Sequence, residues 1–175
     1  LLMRTEVVEA GPNPAALAAG TIAAIGAATL AGAWFFEYVL DIKPCPMCLE
    51  QRYAYYLLIV LGAVLALAAP RLPRAVAIAG LAIMALAAFG NSIYGAFHAG
   101  VEWGYWPGPA SCSGSVPNLG GAADLLKRLD TVKVIRCDEV QWRFLGLSLA
   151  GYNFLISGLM GLIALFGINR MRMAA

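Results

Sequence analysis

The sequence predicts an all-α membrane protein, a bundle of four transmembrane helices, on three observations. The 175-residue chain is 61% hydrophobic and 13% charged, with a mean hydropathy of +0.75. A soluble domain is nearer roughly 45–50% apolar and 25% charged. The apolar residues also gather in four blocks, near 15–40, 50–69, 75–97 and 144–167, and a helix needs about 20 such residues to cross a bilayer. Backbone facing lipid must satisfy its own hydrogen bonds, which leaves helices as the economical solution. Residues 1–175 then form a single membrane domain with extracytoplasmic loops at 41–49 and 98–143.

The elements follow in order. Residues 1–14 are a polar lead-in with Gly11, Pro12 and Pro14. The first block is too long for a signal-peptide core, and Arg4 is offset by Glu6 and Glu9, so it reads as a span. Its Gly20, Ala24, Gly26, Ala28 and Gly32 permit close helix approach. Trp34, Phe35, Phe36 and Tyr38 suit the membrane–water interface. After a turn at 41–44, Pro46 fits the first position of the second helix. That makes Cys45 its N-cap and puts Cys48 in its first turn. This second block is the shortest and borrows length from 48–52. A tight Pro-containing turn at 70–73 leads to the third block, whose Asn91 and Ser92 are expected to bond a neighbouring helix. The long loop opens with His98 and an aromatic, Pro/Gly-rich run at 102–109. Within it, Leu125, Leu126 and Leu129 recur beside Lys127, Arg128 and Asp130, which predicts a short amphipathic helix lying on the membrane.

Four spans put both termini and the 70–73 turn on one side, with Arg4, Arg71, Arg74, Arg170 and Arg172. The positive-inside rule makes that side cytoplasmic. All four cysteines then face the extracytoplasmic side, where disulfides persist. The net charge of +2 is spread without a basic stripe, which argues against nucleic acid as a partner. The spans also lack the buried charges of a channel or transporter.

Cys45-Pro46-Met47-Cys48 stands at the mouth of the second span, and Cys112 and Cys137 both lie in the long loop. Two cysteine pairs beside a membrane suggest a relay able to reach a lipid-soluble electron carrier. Exchange needs a thiolate, and a helix N-terminus with a nearby cation favours one. Arg52 is one turn beyond Cys48, and helical side chains lean back toward the N-terminus. Its guanidinium is therefore placed either to support a Cys48 thiolate or a neighbouring carbonyl oxygen, or simply to snorkel to headgroups. Glu50 and Gln51 have no distinctive signal beyond an interfacial one. His98 is either a satisfied interfacial group or a donor to a reducible ring between the helices. Structural zinc takes four Cys or His ligands, and the chain has one histidine, so no metal is expected. Inert bridges remain an alternative, although a two-residue gap closes too small a loop to add much stability.

The run Cys45-Pro-Met-Cys48-Leu-Glu-Gln-Arg52, then Cys112, then Cys137-Asp-Glu-Val-Gln-Trp-Arg-Phe-Leu-Gly-Leu147, resembles the disulfide bond formation protein B (DsbB) family over nearly the whole chain. The resemblance implies a bundle of the bacterial inner membrane that reoxidises a periplasmic thioredoxin-fold oxidase, DsbA, and passes electrons to ubiquinone or menaquinone. It implies that Cys112 is attacked by the reduced partner and that Cys137 is its disulfide mate. It further implies that Cys45 exchanges with Cys137, and that Cys48 lies beside the quinone with Arg52 and His98 as polar support. Gln51, rather than an acidic residue, precedes Arg52, and the aromatic run at 103–109 suggests a branch with its own loop. DsbA is itself a strong oxidant, so reoxidising it requires a stronger sink such as a quinone. The alternatives are a membrane scaffold with structural disulfides and an enzyme of the vitamin K epoxide reductase type, whose motifs are not evident in the chain.

Overall fold

The computed structural model describes residues 13–109 and 136–173. Asn13 starts the first helix by accepting from the backbone N–H of Ala15 and Ala16 at 2.9 and 3.2 Å, with Pro14 next. Helix α1 runs Pro14–Trp34 and continues as a wider π-helical turn, Phe35–Val39. Asp41, at φ +53°, ends it. Cys45 caps α2, Pro46–Ala68, with Pro46 in the first turn. A single 3-10 turn, Ala69–Arg71, leads to α3, Arg74–Glu102. After Cys137 come strands β1, Arg143–Phe144, and β2, Leu147–Ser148, then α4, Leu149–Met173.

Two boundaries differ from the sequence expectation, each for a backbone reason. Helix α3 continues to Glu102 and carries His98 inside it, stopping just before Gly104 at φ +74°. The fourth helix starts at Leu149, because the residues from Arg143 to Ser148 form a hairpin in which Arg143 faces Ser148 and Phe144 faces Leu147. Its two loop residues, Leu145 and Gly146, have φ of +49° and +83°. Two successive left-handed residues make a type I′ turn, which matches strand twist and cannot continue a helix. The expected amphipathic helix at 121–134, and Cys112, lie outside the described residues.

Four helical segments, Pro14–Val39, Pro46–Arg71, Arg74–Glu102 and Leu149–Met173, are long and apolar enough to span a membrane. Helix α1 packs mainly on α2 and α3 on α4, with α2–α3 and α1–α4 contacts closing the ring. Ile22, Leu58, Leu81, Met84 and Met160 fill the centre. Leu67, Leu86, Ile93 and Phe166 point outward. On a soluble protein such an apolar surface would be a liability, whereas in a bilayer it faces its proper solvent.

Little hydrophobic force separates helix–helix from helix–lipid contact, so close packing and polar bonds hold the bundle. At Gly62 an added Cβ would lie 2.8 Å from Ala19 O, and at Gly95 one would lie 2.9 Å from Phe154 N. Both obstacles are backbone atoms, so neither contact can be relieved by a rotamer change. A buried polar knot adds direction. Tyr55 Oη donates to Asn153 Oδ1 at 2.7 Å, and Asn91 Nδ2 donates to Asn153 Oδ1 and Ser157 Oγ at 3.1 and 3.0 Å. Ser92 Oγ donates to Phe154 O at 2.8 Å. The knot ties α2, α3 and α4 just below the cysteine end. Asn153→Leu removes its shared acceptor, and is expected to lower stability by about 1–2 kcal/mol. That shift is read as a lower unfolding midpoint in detergent, and an unchanged midpoint would contradict a holding role for the knot.

Candidate active site

The antiparallel bundle brings the end of α1, the start of α2, the end of α3 and the start of α4 to one face, and the described cysteines are there. Cys45 is extended, at ψ 165°, and its Sγ accepts from the backbone N–H of Cys48 at 3.3 Å. Cys45 and Cys48 are both free thiols, with their Sγ atoms 2.8 Å apart. Cys137 is disulfide-bonded, 1% exposed, and shares one buried cluster with Cys45 and Met47, against which Cys48 and Tyr94 pack. A free pair and a bonded cysteine therefore stand side by side.

His98 is 2% exposed and has both ring nitrogens engaged. Its Nε2 lies 3.6 Å from Cys45 Sγ, and its Nδ1 lies 3.0 Å from Gln51 Nε2. With Gln51 donating to Nδ1, the ring proton sits on Nε2 and is directed at the Cys45 sulfur. Gln51, which carries no clear signal in sequence, thus orients the histidine. The hydrogen bond from Cys48 lowers the Cys45 pKa to about 5, against the opposing effect of burial, and His98 adds to the lowering. Cys45 is the thiolate of the pair.

Arg52 does not reach back to Cys48. Its Nη1 donates to Glu37 Oε2 at 2.5 Å, and the two side chains are only 12% and 16% exposed. Glu37 lies in the π-helical turn that ends α1, and such turns are frequent at functional sites. A lone acidic residue within the first apolar block was the available signal for it. The pair lets an arginine stand in the site without an uncompensated charge at the edge of the hydrocarbon. Glu50, one residue before Gln51, accepts a hydrogen bond from Tyr94 Oη instead.

Beside these groups opens a cavity of about 390 Å³, within the range of roughly 300–1,000 Å³ for small-molecule sites. Leu30 and Ala33 of α1, Phe36 of the π-helical turn and Ile156 of α4 are among its apolar lining, and Cys45, Cys48, Arg52, His98 and Glu102 are among its polar lining. Trp142 closes a side, with its ring 4.8 Å from Phe36 and stacked at 5.9 Å on Phe144. Tyr152 Oη donates to Phe144 O at 3.0 Å and fixes the hairpin against α4. Among the described residues, Cys45, Cys48 and His98 bring three ligand atoms within 4.8 Å of one another, where structural zinc takes four. The arrangement suits thiol–disulfide chemistry.

A family profile described as "Disulfide bond formation protein DsbB" matches residues 15–167. The chain belongs to the DsbB family. Curated relatives named "Disulfide bond formation protein B" agree. One from Polaromonas sp. strain JS666 is 30% identical over 146 residues, covering 82% of this chain and 84% of the relative. One from Azoarcus sp. strain BH72 is 32% identical over 144 residues, covering 80% and 84%. One from Marinobacter nauticus is 30% identical over 162 residues, covering 86% and 90%. No solved structure gives a significant match. The chain is a multi-pass bacterial membrane protein and a disulfide-forming oxidoreductase of that family.

The thiolate assignment has a direct test. In the reduced protein, alkylation of Cys45 should stay near its maximal rate down to about pH 6 and be half-maximal near pH 5. An ordinary thiol loses reactivity below about pH 8.5. His98→Ala should move the fall toward higher pH, because it removes a donor to the thiolate. A Cys45 rate that falls off near the ordinary thiol range would contradict the assignment.

Proposed function

We propose that this chain reoxidises a soluble, periplasmic thioredoxin-fold oxidase of the DsbA type and passes the electrons to a membrane quinone, ubiquinone or menaquinone. One observation carries the reading: the free Cys45–Cys48 pair lines a mainly apolar cavity and packs in one buried cluster with the bonded Cys137. The arginines at the opposite end of the bundle, Arg71, Arg74, Arg170 and Arg172, favour a cytoplasmic location for that end and a periplasmic one for the cysteines.

In this reading Cys112 receives the attack of the reduced oxidase and Cys137 is its disulfide mate. Cys45, packed against Cys137, exchanges with it and moves the electron pair inward. The backbone N–H of Cys48 and the His98 ring hold the Cys45 thiolate during that exchange. Gln51 keeps the ring turned toward the sulfur. Cys48 completes the inner disulfide when the pair is oxidised. The cavity suits a quinone in size and chemistry, with a mainly aliphatic and aromatic lining beside the cysteine pair. Cys48, Arg52 and His98 are the residues that would hold its ring. When bound, the quinone supplies a two-electron sink. Trp142 and Phe144 screen that end from water, and Glu37 keeps the Arg52 guanidinium in place.

Purified protein given a reduced thioredoxin-fold oxidase and a soluble ubiquinone analogue is expected to reduce the quinone catalytically. Cys48→Ala should abolish turnover while leaving the unfolding midpoint near that of the parent. A membrane scaffold with inert bridges predicts the reverse pattern, with stability lost and no turnover in either protein.

A further inference from the structure

Of the two carboxylic acids that line the cavity, Glu139 is largely exposed and lies beside Arg136, whereas Glu102 is left out of the relay described so far. Glu102 is the last residue of α3, one helical turn beyond His98 on the same face, and it lines the cavity. Its Oε2 is buried and is the sole side-chain nitrogen or oxygen among the described residues that is both buried and without a hydrogen-bond partner. Buried polar atoms are nearly always paired, so an exception calls for an explanation. Ser148, buried on β2, interacts with the carboxyl group, and Oε2 itself has no hydrogen-bond partner.

The chemistry of the site has a matching gap. Reduction of a quinone to its hydroquinone takes two electrons and two protons. A Cys45 thiolate with a Cys48 thiol carries two electrons and one proton. The other ionisable groups lining the cavity are either exposed in ion pairs, Lys43 with Asp41 and Arg136 with Asp138 and Glu139, or occupied. Both His98 nitrogens are engaged, Tyr55 donates to Asn153, and Tyr152 donates to Phe144 O. Arg52 is paired with Glu37 and does not release a proton.

We propose that Glu102 stores the missing proton on Oε2 and delivers it into the cavity as the cysteine pair is oxidised. The proposal rests on the quinone reading above. The balance closes: thiolate, thiol, quinone and carboxylic acid become disulfide, hydroquinone and carboxylate. The negative charge passes from Cys45 to Glu102. The groups facing that carboxylate are His98 on its own helix, Cys45 and Cys48 at the start of α2, and Arg143 on β1. Trp103 and Tyr105 just beyond it are exposed, so water at the membrane surface refills the acid.

The test uses the full-length protein and Glu102→Gln, which keeps the size of the side chain but cannot release a proton. An infrared difference spectrum between the dithiol and disulfide states, recorded without quinone, should contain a carboxylic-acid C=O band that shifts in heavy water and is absent from the variant. In single-turnover oxidation by a soluble quinone, the variant should be slower by about 100-fold or more. The parent's rate should fall as pH rises through the titration of the acid, and the variant's should not. Glu102→Asp should recover part of the rate. A variant with the parent's rate and pH profile, or a C=O band that survives the substitution, overturns the proposal. So does an equal slowing of exchange with the soluble oxidase, which would mark a structural role. A parent that reduces no quinone overturns the earlier reading instead.

Discussion

Everything at this site depends on holding a thiolate at the edge of a hydrocarbon phase. A bare charge there is expensive, and the protein compensates with groups that are already fixed. The start of α2 offers its backbone N–H groups, Cys48 lends its thiol, and His98 adds a ring proton aimed by Gln51. None of these is a mobile surface charge. The site therefore belongs where a helix begins, and Pro46 sets that position because it can occupy the first turn but not a later one.

The remainder of the bundle serves that end. The mid-membrane portions of the helices carry no charge, and the knot of Tyr55, Asn91, Asn153 and Ser157 fastens α2, α3 and α4 beneath the cysteines. Above the knot the helices stay far enough apart for the cavity. The hairpin before α4 carries Phe144 onto Trp142 and brings Ser148 near Glu102, so one short element bears on both the aromatic lining and the acid. Glu37 compensates Arg52, and the polar end of the cavity keeps its donors without an excess charge.

Much of this was legible in the sequence, for physical reasons that differ from residue to residue. Block hydropathy declares spans, since a bilayer demands long uninterrupted apolar runs. The place of Cys45 as a cap followed from Pro46. Asn91 and Ser92 were readable as interhelical donors, but their acceptors on α4 were not, because helix order leaves no trace in a pattern of Ala, Gly and Leu. The partner of Arg52 was hidden for a related reason. Reach along one helix suggests Cys48, whereas the actual partner, Glu37, comes from the π-helical turn of another. The Phe-Leu-Gly run was visible as a motif, yet its meaning lies in two successive positive φ values, one of them at a leucine that composition would not mark as a turn.

The most direct test is a stoichiometric one. Protein carrying Cys112→Ser and Cys137→Ser is reduced, freed of reductant without oxygen, and mixed with a short-tailed quinone while ring absorbance and free thiols are followed together. One quinone reduced for each Cys45–Cys48 pair oxidised is the predicted result. Thiols that persist beside an unreacted quinone, in folded protein, would contradict the claim that this pair faces the electron acceptor.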